Sequence, residues 1–169
     1  MTRWTRLIRH RWLDERDVQR RLDADALARL AQRVHDSERH HSGEIRVCIE
    51  AGLPLSYLWR DAPARERAIM MFGKLRVWDT EHNNGVLIYL LLADRAIEIV
   101  ADRGLHRQVG PDEWRRLAAQ MKGEFQAGRF EQGLLAAVDR VDALLLQHFP
   151  LAGGERNPNE LPDQPVVIS

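Results

Sequence analysis

Hydrophobic residues recur along this chain with two different periods, which divide it into predicted strands and helices. Apolar and polar residues alternate over residues 44–50 and 96–101, as is typical of strands. Residues 85–93 form an apolar run without alternation, so we expect a strand that is buried on both faces. Helical spacing predicts four helices in the body of the chain: residues 23–38, residues 62–77, residue 111 to a stop at Gly128, and residues 130–148.

The order of these elements predicts an α/β fold with a mixed sheet. The first two strands flank a helix, and such a crossover is right-handed and makes the strands parallel. A tight turn at Asp94-Arg95 returns the third strand antiparallel to the second. Helices should then cover both faces of the sheet.

Side chains and connections within this fold can also be predicted. Asp23 or Asp25 is suited to cap the first helix. Residues 104–109 are expected to form a short connector. We expect the second helix to turn four side chains inward: Ala68, Ile69, Phe72 and Leu75.

The chain divides into an arm, a domain and a tail. Residues 1–22 form a basic arm, residues 23–149 an α/β domain, and residues 150–169 a tail rich in proline and asparagine. The tail ends in the apolar residues 166–168, which could add to a sheet edge or a partner. Most tails of this composition are mobile instead.

Composition excludes several classes of protein. Lys+Arg and Asp+Glu are both 25, and this zero net charge argues against nucleic-acid binding. The one cysteine, Cys48, excludes a disulfide within the chain and a cysteine zinc site, and it favours a reducing compartment such as the cytoplasm. No apolar run reaches the ~18 residues of a membrane span, and no secretory signal precedes the domain.

The N-terminal arm combines tryptophan with arginine at helical spacing. Trp4, Arg6, Arg9 and Trp12 could lie at the inner surface of a membrane, with tryptophans at the interface and arginines near anionic lipid. Alternatively, the arm packs against its own domain or a neighbouring protein.

Polar segments should converge at one end of the sheet. The two parallel strands begin there and the third strand ends there, which brings together residues 42–44, 79–85 and 102–106. Oxygen ligands from several loops suit a hard cation such as Ca²⁺ or Mg²⁺, although polar loops and ion pairs are common at sheet ends. The candidate ligands or contacts are Glu44, Asp79, Glu81, Asn83, Asn84, Asp102 and His106.

Several short motifs together resemble the TPM domain family. They include residues 42–45, residues 83–88, Gly104-Leu105 and residues 125–130 followed by Gly133-Leu134, in an order that covers residues 25–148. The resemblance implies a three-layer α/β/α sandwich with a small mixed sheet. It also implies one of several activities: acid phosphatase activity, divalent-cation binding, or a role in assembly or repair of membrane complexes.

This chain departs from the usual family pattern in three respects. Asn83 stands where many members carry an aspartate, a basic arm precedes the first helix, and neither an export signal nor a transmembrane tail is evident. Loss of the aspartate weakens a metal site or a phosphatase mechanism that depends on it. The pattern is that of a cytoplasmic branch of the family.

Three functional hypotheses follow. The first is a non-enzymatic module that binds a protein partner, with a divalent cation at the polar end of the sheet. The second is a metal-dependent phosphatase in which the same carboxylates hold the metal and His106 acts as general acid. The third is a peripheral membrane adaptor that uses the arm.

Overall fold

A mixed sheet of four strands forms the centre of the structure, a computed structural model that describes residues 3–169, with residues 3 and 4 described by their backbone only. The strands lie in the order β3-β2-β1-β4. β1 is parallel to both β2 and β4, whereas β2 and β3 are antiparallel. The predicted mixed sheet is therefore confirmed, and the strands are β1 (Ile45–Glu50), β2 (Val86–Leu91), β3 (Ala96–Ala101) and β4 (Val166–Ile168).

Helices cover both faces of this sheet, as the sandwich requires. The described helices are α1 (Arg3–Trp12), α2 (Glu15–Arg21), α3 (Ala24–Ser37), α4 (Leu55–Trp59), α5 (Ala64–Lys74), α6 (Arg103–Val109), α7 (Pro111–Gln126) and α8 (Phe130–His148). None of the helices described is long and apolar enough to cross a membrane.

Each face of the sheet has its own hydrophobic core. Odd-numbered residues of β1 and even-numbered residues of β2 pack with α2, α3, α7 and α8. The alternate residues, such as Cys48 and Tyr89, pack with α4 and α5 on the other face. Val18 and Leu22 of the predicted arm belong to the first core, so the arm and the domain share buried surface.

Side-chain caps define where α2 and α3 begin. Asp14 and Asp17 form a reciprocal capping box at α2. Asp23, rather than Asp25, caps α3, because its Oδ1 accepts a hydrogen bond from the Ala26 backbone N–H at 2.8 Å.

Two details of the sequence interpretation are wrong. Residues 104–109 are not a connector but most of α6, because Asp102 caps the helix and Leu105 anchors it in the core. Ile69 points to solvent, with an exposed fraction of 53%. Relative to the predicted orientation, α5 is rotated about its axis, so that Arg67 and Met71 face the sheet. This orientation lets Arg67 contact a carboxylate beneath the helix.

That carboxylate is Glu50, which lies at the end of β1 and is fully buried. Arg67 Nε donates to Glu50 Oε2 at 2.8 Å, and Arg67 Nη2 donates to Glu50 Oε1 at 2.5 Å. The Tyr89 hydroxyl donates to Glu50 Oε2 at 2.6 Å. The network joins α5, β1 and β2 in one core, and it satisfies both oxygens of the acid.

We expect Arg67→Met to lower the free energy of unfolding by about 3–5 kcal/mol, because it leaves the buried Glu50 charge without its cation. Urea denaturation measures this change. Arg115→Met is the matched control: Arg115 pairs with Asp112 on the surface, so its loss should cost less than about 1 kcal/mol. Equal losses in the two variants would contradict a structural role for the buried pair.

Candidate functional site

The three predicted polar segments meet at the end of the sheet where β1 and β2 begin. Ile45 lies opposite Val86, and Val86 lies opposite Ala101. The segments are joined directly, since Asp102 N donates to Gly85 O and Gly104 N donates to Asn83 O, both at 2.8 Å.

Two glycines allow this close approach of backbones. A Cβ atom on Gly85 would lie 2.0 Å from Val77 O, and one on Gly104 would lie 2.5 Å from Asn83 O. Neither position has room for a side chain, because the obstructing atoms belong to the backbone. Gly85 therefore lets the loop of residues 79–85 close on Val77 at its own start, and Gly104 lets α6 approach the same loop.

Three residues at this end carry buried oxygens that lack a hydrogen-bond donor in the described chain. They are Glu44 Oε1, Asn84 Oδ1 and Asp102 Oδ2. The other polar atom of each side chain is engaged: Glu44 Oε2 accepts from Leu161 N, Asn84 Nδ2 donates to Ser42 Oγ, and Asp102 Oδ1 accepts from Arg103 N. All three unmatched atoms are acceptors, so a proton, a water molecule or a cation would complete them.

The other predicted residues lie in more exposed positions around this group. Asp79 pairs with Arg76 at 2.9 Å, and Asn83 Oδ1 accepts from Arg103 Nε at 2.9 Å. The Glu81 side chain is exposed, as is His106 on α6. Within residues 3–169, the described side chains form no group of three or more His, Cys, Asp or Glu placed to hold a metal ion.

Comparison with known proteins identifies the family. The model of the TPM domain matches residues 16–144. The chain belongs to the TPM domain family. Among curated proteins, a search finds no match.

Two solved structures share the fold. BA42, a protein from the psychrophilic bacterium Bizionia argentinensis, is 28% identical with a TM-score of 0.72, over 86% of this chain and 94% of BA42. The N-terminal domain of a protein from P. gingivalis is 22% identical with a TM-score of 0.60, over 78% of this chain and 83% of that domain, and it shows the fold alone.

The TPM domain also contains a buried acid that sequence reasoning missed. Glu38 follows α3, and its Oε1 accepts a hydrogen bond from Ile45 N at 2.8 Å, while Oε2 is buried without a partner in the described chain. Burial and the neighbouring Glu44 raise the pKa of Glu38 to about 9. Burial likewise raises the pKa of Glu44 to about 7. In the sequence, Glu38 resembles any polar residue at a helix end.

His41 is a second buried group beside this end of the TPM domain. Its Nδ1 lies 3.0 Å from Gly43 O, so this nitrogen carries the proton. Its Nε2 lies 3.4 Å from Asp142 Oδ1. Burial lowers the pKa of His41, and the adjacent Asp142 opposes that effect.

The predicted membrane residues Arg6 and Arg9 instead contact the protein's own TPM domain. Arg6 donates to Asp94 and to Asp61, and Arg9 also pairs with Asp94. His10 accepts from Leu53 N at Nδ1 and donates from Nε2 to Asp94 at 2.9 Å. Burial alone would raise the pKa of Asp94, but His10 and Arg6 together hold it well below its usual value.

The tryptophans of the arm differ from these arginines. Trp12 has an exposed fraction of 81%, and Ile8, one helical turn earlier, has 58%. The side chain of Trp4 lies outside the described residues. α1 therefore packs through Leu7 and its charged residues, and it presents Ile8 and Trp12 to solvent.

The buried acids predict an unusual pH dependence of stability. Because the pKa of Glu38 is raised from 4.5 to about 9, the folded chain retains a proton that the unfolded chain releases. The free energy of unfolding should therefore fall as the pH rises from 6.5 to 9. This range begins at the ordinary pKa of His41, so the titration of that histidine contributes little to the slope. Glu38→Gln should flatten this slope in urea denaturation.

Asp112→Asn is the control for this experiment, because it changes an exposed carboxylate on α7 and should leave the slope unaltered. A wild-type free energy that is level or rises across the range would show that Glu38 is already ionised in the folded protein.

Proposed function

We propose that this protein is a non-enzymatic binding module that takes a hydrated divalent cation at the polar end of its sheet and binds a protein partner there. One observation carries the proposal: three buried oxygens, from Glu44, Asn84 and Asp102, lack a donor in the described chain. They come from the ends of three adjacent strands. An unmatched buried acceptor costs about 1–3 kcal/mol, which a bound cation would offset.

The chemistry of these oxygens suits Mg²⁺ or Ca²⁺. Two carboxylates and an amide are hard oxygen donors, and Mg²⁺ usually keeps several of its water ligands and binds through only one or two carboxylates. Such a site does not require three acidic side chains in contact. The more exposed Asp79, Glu81, Asn83 and His106 would contact the partner or the cation's waters.

Titration of ¹⁵N-labelled protein with Ca²⁺ and Mg²⁺ tests the cation site. We expect amide shifts confined to residues 42–44, 79–85 and 102–106, together with a higher melting temperature. Glu44→Gln and Asp102→Asn should each weaken binding by about tenfold or more, because each replaces a charged ligand with a neutral amide.

Asp112→Asn makes the same chemical change on exposed α7 and should bind the cation like the wild type. An absence of shifts at millimolar cation would remove the site from this end of the sheet. Hydrolysis of phosphate esters by the cation-loaded protein would show an enzyme and contradict the non-enzymatic assignment.

The exposed apolar side of α1 supports a second candidate function, attachment to a membrane surface. Ile8 and Trp12 lie one turn apart, and exposed Arg11 lies between them. Leu55 on α4 is also exposed and lies near Arg11, since both line one cavity. An apolar side with tryptophan and arginine suits the interface of an anionic bilayer.

We expect the full chain to co-sediment with vesicles of anionic phospholipid, and Trp12→Ser to reduce the bound fraction several-fold. Trp78→Ser is the control, because Trp78 is an exposed tryptophan at the opposite end of the sheet. Equal sedimentation of wild type and Trp12→Ser would exclude this function of the arm.

A further inference from the structure

The C-terminal tail runs alongside β1 and pairs with the second half of this strand. Asn157 Nδ2 donates to the carbonyl oxygens of His41 and Gly43 at 3.0 and 3.1 Å. Leu161 N donates to Glu44, and β4 then pairs with β1 from Cys48 to Glu50. The tail thus completes the sheet at the strand that would otherwise be its edge.

Most of these contacts recognise the backbone of the tail. Glu44 accepts a backbone N–H, and Arg46 donates to the carbonyl oxygens of Pro162 and Gln164. Arg46 is buried, and it donates its hydrogen bonds to these two backbone carbonyl oxygens. Backbone recognition with alternate side-chain pockets is how sheet edges bind extended peptides.

A few side chains of the tail provide specificity. Leu161 is buried in the core beside α5, and Val167 and Ile168 pack on opposite faces of the sheet. Pro162 and Pro165 lack a backbone N–H, but the carbonyl oxygen of Pro162 remains available and accepts a hydrogen bond from Arg46. The family match ends at residue 144, so this occupant lies beyond the TPM domain itself.

We propose that the edge of β1, with Glu44 and Arg46, is a peptide-binding groove that the protein's own tail fills, and that an extended segment of another protein displaces the tail. The preferred segment has a leucine followed six and seven residues later by β-branched residues. The groove can bind a peptide without a cation, because its contacts form through Glu44 Oε2, Arg46 and the backbone of β1, although Glu44 also belongs to the proposed cation site.

The chain geometry favours a different protein over a second copy as the source of that segment. Leu151 N donates to His40 O, and Asn157 is already bound to His41 and Gly43. Only residues 152–156 join these anchors, and such a segment spans at most about 20 Å when extended. Exchange of tails between two copies would require their grooves to lie almost in contact.

A cleavable version of the full chain tests the groove. A protease sequence is inserted between Gly153 and Gly154, which are exposed and have no neighbours near their Cβ positions. After cleavage, a fluorescent peptide of residues 155–169 is added and its anisotropy is measured. We expect saturable binding, about a hundredfold tighter than to the uncleaved chain, whose tethered tail competes at high effective concentration.

Arg46→Met should weaken peptide binding by about tenfold or more, because it removes two charge-assisted hydrogen bonds and keeps the apolar stem. Arg115→Met, on the surface of α7, should have no effect. A peptide carrying aspartate in place of Val167 should bind poorly, since this residue packs against the core.

Three results would overturn the proposal. The first is a cleaved protein that loses its fold, because the tail would then be an integral strand and not an exchangeable ligand. The second is peptide binding that is absent or equal in wild type and Arg46→Met. The third is a dimer of the uncleaved chain that grows with concentration, which would assign the groove to a second copy.

Discussion

The rest of the structure depends on one constraint: β1 is buried along its whole length, yet three charged residues, one directly before the strand and two within it, lie on one of its faces. Glu44, Arg46 and Glu50 alternate with the apolar residues of that strand. A buried charge is tolerated only with partners, and each of these draws one from a distant part of the chain. Glu50 holds α5 through Arg67, whereas Glu44 and Arg46 hold the tail.

Local patterns were sufficient for the parts of the fold that depend on neighbouring residues. Alternation and unbroken apolar runs predicted β1, β2 and β3, and the rule of right-handed crossovers then predicted their directions. The alternation in β1 did not show which groups partner its charged residues, because nothing in residues 44–50 indicates that α5 and the C-terminal tail will supply them. Ile69 was misplaced for a similar reason, since the orientation of α5 depends on the ion pair between Arg67 and Glu50, which are 17 residues apart in sequence.

The candidate site shows the same division between local and distant information. Strand directions correctly bring residues 42–44, 79–85 and 102–106 together, but they do not say which side chains become buried. Glu44, Asn84 and Asp102 are enclosed, whereas Asp79 and His106 are exposed. Glu38 escaped notice because its importance comes from a hydrogen bond to Ile45, across the turn between α3 and β1.

Glu44 connects the two proposed binding regions. Its Oε2 accepts the backbone N–H of Leu161 in the tail, and its Oε1 is one of the three oxygens without a donor. Burial raises the pKa of Glu44 to about 7. A cation bound at Oε1 would keep this carboxylate ionised, and an ionised carboxylate accepts a stronger hydrogen bond from Leu161 N. Because such coupling is reciprocal, a peptide that retains this N–H contact would favour the cation in turn. The buried carboxylate of Glu44, at the start of β1, is thus the group through which cation binding at the end of the sheet and peptide binding at its edge would be coupled.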